Sequence, residues 1–333
     1  MSSLFKEVDY LRIPYADIKA ATNNFDTRNK IVFQCVKVKR DECIKVESGY
    51  RLMSTKGNMS ASILSYNVYK GELYRFGKRI NIIVEYFGII EEEELLKWVS
   101  LLSRFKHKNI PTFVGFCYDK YNMCYLVSEC EFMESLEQIL SITSNPSFRS
   151  EYCLDIRENL TCYHMLQICL GVARALSHIH DCHAIHGGFN SYRILLDKDF
   201  EAKVVGFIKD PEYIPLTRHT CYIDPEFERT KTVTPKSDVY SFGVVLIDVF
   251  CQEYAADQPW HYQEFPEIPE IEYTHFDDNI CKQMNSKAMT ILLETLNKCL
   301  NNEREERPDM AEVVKQLEEA LFLQWKHENP VSP

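Results

Sequence analysis

Glycine is scarce in this chain, with 11 among 333 residues, about half of its usual share of about 7%. A collagen-like repeat needs glycine at every third position, so that class is excluded. The hydrophobic fraction of 45%, with 19 tyrosines and 19 phenylalanines, is too high for a disordered chain. The composition therefore predicts a compact globular protein. Its length favours two lobes or domains, because chains beyond about 250 residues usually divide their core.

Long apolar runs and targeting signals are also missing. The best apolar stretch, residues 242 to 250, is interrupted by Asp248 and falls short of the roughly 18 residues that span a bilayer. The N-terminus, MSSLFK, has no charged segment followed by an apolar core, as a signal peptide would. Ser2 stands where N-myristoylation needs glycine. We expect a soluble, intracellular protein with no membrane span in this chain.

Clustered cysteines and an excess of positive charge are missing as well. The 13 cysteines are odd in number and scattered, without the CxxC or HxxxH spacings of redox and metal sites. We therefore expect free thiols in a reducing compartment. The formal net charge is −11, which makes nucleic acid and anionic membranes poor global partners.

The hydrophobic pattern changes part-way along the chain. Apolar positions at helical spacing in residues 12 to 25 predict a short amphipathic helix. Short β-branched and aromatic runs then predict a hairpin, followed by a helix and two more strands. The helix has an acidic first turn and an apolar stripe of Leu95, Val99 and Leu102. These elements fall at residues 68–73, 80–87, 91–105, 112–118 and 124–129. From residue 136 onward the pattern is mostly helical, so the change falls near residues 130 to 135.

Four separated stretches carry a family signal: residues 18–26 (IKAATNNFD), 224–227 (DPEF), 234–246 (TPKSDVYSFGVVL) and 306–310 (ERPDM). In order and spacing they resemble motifs of the plant receptor-like kinases and receptor-like cytoplasmic kinases, with the malectin-type receptor-like kinases closest. The resemblance implies an α+β, bilobal protein-kinase-like fold, with a β-rich N-lobe holding one main helix and an α-helical C-lobe. It divides the chain into a lead-in helix (1–30), N-lobe (31–130), C-lobe (131–325) and C-terminal tail (326–333).

The same resemblance locates the parts that phosphoryl transfer needs. The three glycine positions of the phosphate cradle fall on Ala61, Ile63 and Tyr66, where side chains would keep the backbone from a phosphate. The strand lysine aligns with Glu85, whose charge would oppose a triphosphate by about 4 kcal/mol at a separation of about 4 Å. Ile83 would crowd the adenine pocket. No nucleotide is therefore expected to bind.

The helix glutamate that normally holds the strand lysine aligns with Trp98. The neighbouring Lys97 leaves two interpretations open. It could form a charge-swapped pair with Glu85, which would tie strand to helix without a phosphate function. The other interpretation, which the sequence favours, is a solvated helix residue, since pairs between exposed charges contribute little.

The catalytic loop of the family aligns with residues 186–197, HGGFNSYRILLD. Its base position is Gly188, its lysine position is Asn190 and its metal-binding asparagine position is Arg193. The metal-binding aspartate of the following DFG element aligns with Gly206. Neither a proton acceptor nor a magnesium ligand remains, so the resemblance implies no catalytic residues, no metal site, and no ATP or magnesium binding.

Residues with a structural role in the family are retained. Leu102, His186 and Phe207 match positions that stack through the core. Asp238 matches the residue that binds the backbone of the catalytic loop. The residues lost are those that touch nucleotide, and the residues kept are those that hold the frame.

A buried ion pair is also implied by the resemblance, between Glu226 and Arg307. It would tie the end of the activation segment to the rear lobe. Removing one partner of such a pair costs on the order of 3 to 5 kcal/mol.

The pattern of loss and retention predicts a pseudokinase that acts as a binding module, scaffold or allosteric partner. Its expected partners are active receptor-like kinases or immune receptors, in the cytoplasm or, through those partners, at the inner face of the plasma membrane. Two alternatives stay open. One is a weakly active or atypical ATP-dependent serine/threonine kinase that uses displaced Lys70 or Lys78. The other is a degenerate product without a dedicated partner.

Residues 251 to 287 combine many acidic side chains with six aromatic ones. This composition predicts a docking face for a basic partner. A solvated acidic loop with a few packed aromatic residues explains it equally well.

Overall fold

The computed structural model describes residues 8–32, 35–39, 43–46, 49–52, 67–89, 92–118, 123–132, 134–140, 160–207, 213–217, 220–251 and 268–330. The chain forms two compact units. The first comprises Met1–Glu131 and Tyr213–Arg218, and the second comprises Phe132–Glu212 and His219–Pro333. Each unit has its own core.

Strands dominate the first half of the described chain and helices the second. The strands are β1 (Lys30–Val32), β2 (Cys35–Lys39), β3 (Cys43–Val46), β4 (Gly49–Leu52), β5 (Asn67–Arg75), β6 (Lys78–Ile89), β7 (Thr112–Tyr118), β8 (Met123–Glu129), β9 (Glu134–Ser135), β10 (Ile194–Leu196), β11 (Ala202–Val204) and β12 (Tyr213–Thr217). The helices are α1 (Tyr15–Ala21), α2 (Glu92–Leu102), α3 (Leu136–Leu140), α4 (Cys162–Asp181), α5 (Pro225–Thr230), α6 (Pro235–Phe250), α7 (Asp278–Gln283), α8 (Ser286–Cys299) and α9 (Met310–Glu328).

The first unit is built on an antiparallel five-stranded sheet in the order β1-β5-β6-β8-β7. Its centre is the hairpin of β5 and β6, which the sequence predicted and which extends further than predicted, with Asn67 paired to Tyr86 and Arg75 to Lys78. The two turn residues, Phe76 and Gly77, both have positive φ, as a tight two-residue hairpin turn requires. Elsewhere in this unit β12 pairs with β2, and β3 with β4.

Helices α1 and α2 bury one face each in the first unit. Ile18 of α1 is completely buried and belongs to one core cluster with residues of β5, β6, β7 and β8. In α2, Leu95 and Val99 are completely buried, which confirms two of the three positions in the predicted apolar stripe. The third, Leu102, is half-buried at the end of the helix.

Helix α6 forms the centre of the second unit. Its N-terminus is well specified, because Pro235 occupies the first turn and Oγ of Ser237 accepts a hydrogen bond from the backbone N–H of Thr234 at 3.1 Å. From Ser237 to Phe250 its side chains are buried except at Asp248, and a helix that is apolar on all sides belongs inside a core. Helices α4 and α8 pack against α6, and α9 packs against both α4 and α8. A small sheet in the order β11-β10-β9 completes the unit.

The predicted α+β class is confirmed, with the change of pattern where the sequence placed it. The five-stranded sheet ends at Glu129 and helix α3 begins at Leu136. Ten of the cysteines in the described ranges are free thiols, most of them buried. In those same ranges, no helix combines the length and the apolar character that crossing a membrane requires.

Candidate functional site

The loop that begins at His186 is held to helix α6 by Asp238. This aspartate is 1% exposed. Its Oδ1 accepts a hydrogen bond from the backbone N–H of Gly187 at 2.8 Å, and its Oδ2 accepts one from the backbone N–H of His186 at 2.9 Å. Oδ2 also lies 2.9 Å from Nε2 of His180. The structure thus puts Asp238 in the anchoring position that the family resemblance implied.

The His186 ring is a packed core group. It is 0% exposed, and its Nε2 lies 3.0 Å from the carbonyl oxygen of Val205, so that nitrogen carries the proton and donates. Its ring centre is 5.3 Å from that of Phe189 and 5.1 Å from that of Phe207. Burial lowers the pKa of His186 to about 4, against the opposing effect of Asp238. The imidazole is therefore neutral at physiological pH and joins Phe207 in one packed cluster.

Positions that would carry catalysis in this loop serve the backbone instead. Gly188, at the base position, has no proton acceptor. Asn190, at the lysine position, is 2% exposed. Its Oδ1 accepts from the backbone N–H of Tyr192 at 3.1 Å, and its Nδ2 donates to the carbonyl of Gly188 at 3.4 Å. Asn190 therefore caps the short helical turn Ser191–Arg193, which is a structural task.

Arg193 and Gly206 meet at the point where the resemblance puts both metal ligands. Arg193 is 2% exposed, and its carbonyl accepts a hydrogen bond from the N–H of Val205 at 2.9 Å. A Cβ atom placed on Gly206 would lie 2.0 Å from Nη1 of Arg193 and 2.8 Å from its Cδ and Cζ. The φ angle of Gly206 is +80°, a conformation that favours glycine. The guanidinium thus stands where a side chain at position 206 would begin.

Magnesium does not fit this arrangement. It requires oxygen ligands such as carboxylates, whereas the two positions supply a buried cation and a hydrogen atom. Over the described ranges, no group of three or more histidine, cysteine, aspartate or glutamate side chains is arranged to hold a metal ion.

The remaining nucleotide positions belong to the first unit. Glu85 lies on β6 between Val68 and Leu126 of the neighbouring strands and is 8% exposed. Ile83 is completely buried and Trp98 is 6% exposed. Ala61, Ile63 and Tyr66 lie outside the described residues.

The two interpretations of Lys97 can now be compared. Its side chain is 73% exposed, and its Nζ lies 3.1 Å from Oε1 of Glu93, one turn earlier in α2. This geometry favours a solvated helix residue over a pair with the buried Glu85. The lysines proposed for a displaced kinase chemistry are exposed as well, and Nζ of Lys78 lies 3.1 Å from Oε1 of Glu129.

The predicted ion pair between Glu226 and Arg307 is wrong. Nη2 of Arg307 donates to Oδ1 of Asp224 at 2.9 Å, and Nε of Arg304 donates to Oδ2 of Asp224 at 2.5 Å. Glu226 accepts from the backbone N–H of Arg304 at 2.8 Å and from Nη2 of Arg229 at 3.0 Å. Asp224 caps helix α5 from the inside, whereas Glu226 stands nearer the surface, with 15% of its side chain exposed.

Asp224 stays ionised in this cluster. Burial on its own would raise its pKa, but the hydrogen bond and charge of Arg307, helped by Ser237 and Arg304, lower the pKa below its ordinary value. Arg307 also donates to the carbonyls of Asn301 and Lys236, at 2.6 and 3.0 Å. Its buried charge is thus matched by a carboxylate and by carbonyl oxygens.

A largely buried network of acidic and hydroxyl side chains lies beside the loop and was not predicted from the sequence. Oγ of Ser191 donates to Oε2 of Glu137 at 3.2 Å and lies 2.9 Å from the hydroxyl of Tyr222. The Tyr222 hydroxyl donates in turn to Oδ2 of Asp248. Burial raises the pKa of Asp248 to about 8, although its hydrogen bond from Tyr222 opposes the rise. The available signal was Asp248 itself, a lone carboxylate inside the longest apolar run.

The acidic stretch proposed for docking is described only in part. Residues 252–267, which hold Glu264 and Glu267, lie outside the described residues. Of the rest, Phe276 is 5% exposed and stacks on Phe250 with ring centres 6.2 Å apart, while Tyr273 is 52% exposed. The docking hypothesis stays a prediction.

Comparisons with known proteins identify relatives of this chain. The family described as protein tyrosine and serine/threonine kinase matches residues 66–317. Receptor-like protein kinase HERK 1 of Arabidopsis thaliana is 30% identical over 349 residues, covering 97% of this chain and 36% of that protein. Receptor-like protein kinase ANXUR1 of the same plant is 29% identical over 254 residues, covering 68% and 27%. The chain therefore spans about a third of the length of these relatives.

A solved structure shares the fold. It is the pseudokinase domain of BIR2, described as an immune regulator of the RLK/Pelle family, with a TM-score of 0.63 and 21% identity over 96% of this chain and 91% of that one. The predicted kinase-like fold, with a β-sheet N-lobe and a helical C-lobe, is confirmed.

Proposed function

Because the chain belongs to the plant receptor-like protein kinase family and carries a protein kinase domain, we propose that it is a pseudokinase. In this proposal it acts as a protein-binding scaffold or allosteric partner in receptor-kinase signalling, with little or no phosphoryl transfer. The observation that carries the proposal is the contact of Arg193 with Gly206, where a Cβ would lie 2.0 Å from the guanidinium. A family enzyme would need two metal ligands at these positions.

The other substitutions support the proposal independently. Glu85 puts a carboxylate where a lysine would meet the phosphates, and Gly188 removes the base. Loss of one preorganised electrostatic element can cost a factor of about 100 or more in rate, and here the lysine, the base and both metal ligands are replaced. A weak kinase would need substitutes for all of them. The exposed Lys78 is paired with Glu129, so it is a poor substitute for the lost lysine.

The partner class follows from the family. We propose that the chain binds active receptor-like kinases or immune receptors, in the cytoplasm or at the inner face of the plasma membrane through those partners. The relatives are named as receptor-like kinases and the structural neighbour as an immune regulator, which supports this class of partner. ATP and magnesium have no part in the proposed function.

Nucleotide binding tests the absence of catalysis. Thermal unfolding of the full chain is measured with ATP, with magnesium, and with both, beside an active receptor-like kinase domain as the positive control. A ligand at about a hundred times its Kd stabilises a protein by about 2.7 kcal/mol, so binding would be plain. We expect no shift at millimolar nucleotide and no transfer of radiolabelled phosphate to the chain or to a generic protein substrate.

A magnesium-dependent shift accompanied by phosphate transfer would overturn the pseudokinase proposal. Lys70→Met and Lys78→Met then decide whether a displaced lysine is responsible, since loss of transfer in either variant would support the atypical kinase.

Partner binding is tested separately with a panel of receptor-kinase intracellular domains, each titrated against the immobilised full chain. We expect saturable binding to a subset of the panel. If no member binds, while a positive-control complex does, the proposed class of partner is wrong.

A further inference from the structure

We infer that Arg193 is a positioning residue that supplies, from within the chain, the positive charge that a divalent cation would bring, and that it excludes such a cation. It and Gly206 form a matched pair, so a metal site cannot be rebuilt by changing position 206 alone. This inference rests on the proposed function, because it explains how a kinase-like fold keeps its metal-binding end ordered without metal.

Arg193 fills the space that a side chain at position 206 would need. A Cβ on Gly206 would approach Nη1 of Arg193 to 2.0 Å and its Cδ and Cζ to 2.8 Å. Real Cβ contacts do not reach such distances, and Arg193 is 2% exposed, so its guanidinium has little room to retreat in a close-packed interior. A side chain at position 206 and the present position of Arg193 therefore exclude each other.

The charge of Arg193 also opposes a metal ion. A guanidinium remains charged in proteins and offers only donors, whereas a divalent metal needs oxygen acceptors. A cation that entered beside Arg193 would face a fixed like charge, and such repulsion is strong in a site that water does not screen. Arg193 therefore removes one ligand and adds a repulsive charge.

The backbone of Arg193 also orders the segment that a metal would otherwise hold. The carbonyl of Arg193 accepts from the N–H of Val205 at 2.9 Å, and Nε2 of His186 donates to the carbonyl of Val205 at 3.0 Å. Val205 is thus held at both its polar groups. Gly206 follows with its φ angle of +80° beneath the guanidinium, and Phe207 packs on His186.

A double-mutant cycle tests the inference on the full chain. The variants are Gly206→Asp, Arg193→Asn and the double variant, and the measurements are the thermal unfolding midpoint and Mn²⁺ binding by the loss of the free-ion paramagnetic resonance signal. We expect Gly206→Asp to lower the midpoint strongly, and the double variant to recover part of that loss. We also expect the double variant to bind Mn²⁺ at least about tenfold tighter than Gly206→Asp, since the repulsive charge is gone.

Gly77 provides a matched control for the backbone. Its φ angle is +77°, and a Cβ there would meet no atom within 4 Å. Gly77→Asp therefore carries the strain of a positive φ without the overlap. We expect its midpoint to fall by much less than that of Gly206→Asp, and Arg193→Asn to give it no recovery.

A second set of variants keeps the inference testable if Gly206→Asp does not fold. If Gly206→Asp does not fold, Gly206→Ala adds only the Cβ, and its cycle with Arg193→Asn tests the same overlap. Additive effects of the two substitutions on the midpoint would overturn the matched pair. A double variant that binds Mn²⁺ no better than Gly206→Asp would overturn the exclusion of metal.

These outcomes are separable from those for the proposed function. Nucleotide binding by the unmodified chain would count against the pseudokinase and leave the coupling of Arg193 with Gly206 intact. Additivity in the cycle, with no nucleotide binding by the unmodified chain, would count against this inference alone.

Discussion

Arg193 and Arg307 are both 2% exposed, yet their surroundings differ. Arg307 donates to the carboxylate of Asp224 and to carbonyls of its neighbours, so its charge is compensated and holds the frame of the second unit. Arg193 lies against Gly206, at the position where the family resemblance puts a metal. The same residue type, at the same degree of burial, holds the fold in one place and, in the function proposed above, replaces a metal ligand in the other.

The largest effect on stability is expected in the buried ion cluster of Asp224, Arg304 and Arg307. Asp224→Asn leaves Arg304 and Arg307 without their buried carboxylate, and breaking a buried pair in this way costs about 3 to 5 kcal/mol. We expect a loss of that size in the free energy of unfolding, measured in urea. Arg229→Met is the matched control, because its pair with Glu226 has an arginine side chain that is 73% exposed, and such a pair contributes at most about 1 kcal/mol.

Equal losses in the free energy of unfolding of Asp224→Asn and Arg229→Met would contradict this prediction. They would mean that the Asp224 cluster does not hold the frame more firmly than a surface pair does.

A second, smaller effect concerns pH and the acidic network beside the loop. The pKa of Asp248 is raised to about 8, so the folded state keeps a proton that the unfolded state releases above its ordinary value near 4. The free energy of unfolding therefore falls as pH rises between these values, by up to about 1.4 kcal/mol per pH unit. Asp248→Asn removes this term, so its free energy of unfolding should fall less steeply than that of the unmodified chain.

The measurement is urea unfolding at pH 5, 6, 7 and 8. Asp199→Asn, at an aspartate whose side chain is 71% exposed, should keep the slope of the unmodified chain. Parallel profiles for the unmodified chain and Asp248→Asn would contradict the burial of a protonated carboxyl group.

Features that follow from periodicity and short motifs could be predicted from the sequence. The β5–β6 hairpin, the helix around Leu95 and Val99, and the change near residues 130 to 135 follow from local pattern, and the motifs indicated the kinase-like fold. Side-chain partners could not be predicted in the same way. The sequence offered two acidic residues two positions apart, Asp224 and Glu226, and which of them faces Arg307 depends on the cap of helix α5.

The same limit applies to the candidate site. The resemblance indicated that Arg193 and Gly206 each replace a metal ligand. It did not indicate that the two residues contact each other. Their contact depends on the path of the guanidinium through a packed interior, which no spacing in the sequence encodes. The network of Glu137, Tyr222 and Asp248 was missed for a related reason, because its members come from three distant segments.

The smallest effect on stability is expected at Asn190. Asn190 stands at a catalytic position, yet it caps the turn Ser191–Arg193 through the backbone N–H of Tyr192. Replacing such a cap by alanine costs about 1 kcal/mol, so we expect Asn190→Ala to lose about this much in urea unfolding. Asn190→Asp keeps the accepting oxygen and should lose less. A loss as large as that of Asp224→Asn would contradict a purely local role, because it would mean that the loop, like the ion cluster, supports the frame of the second unit.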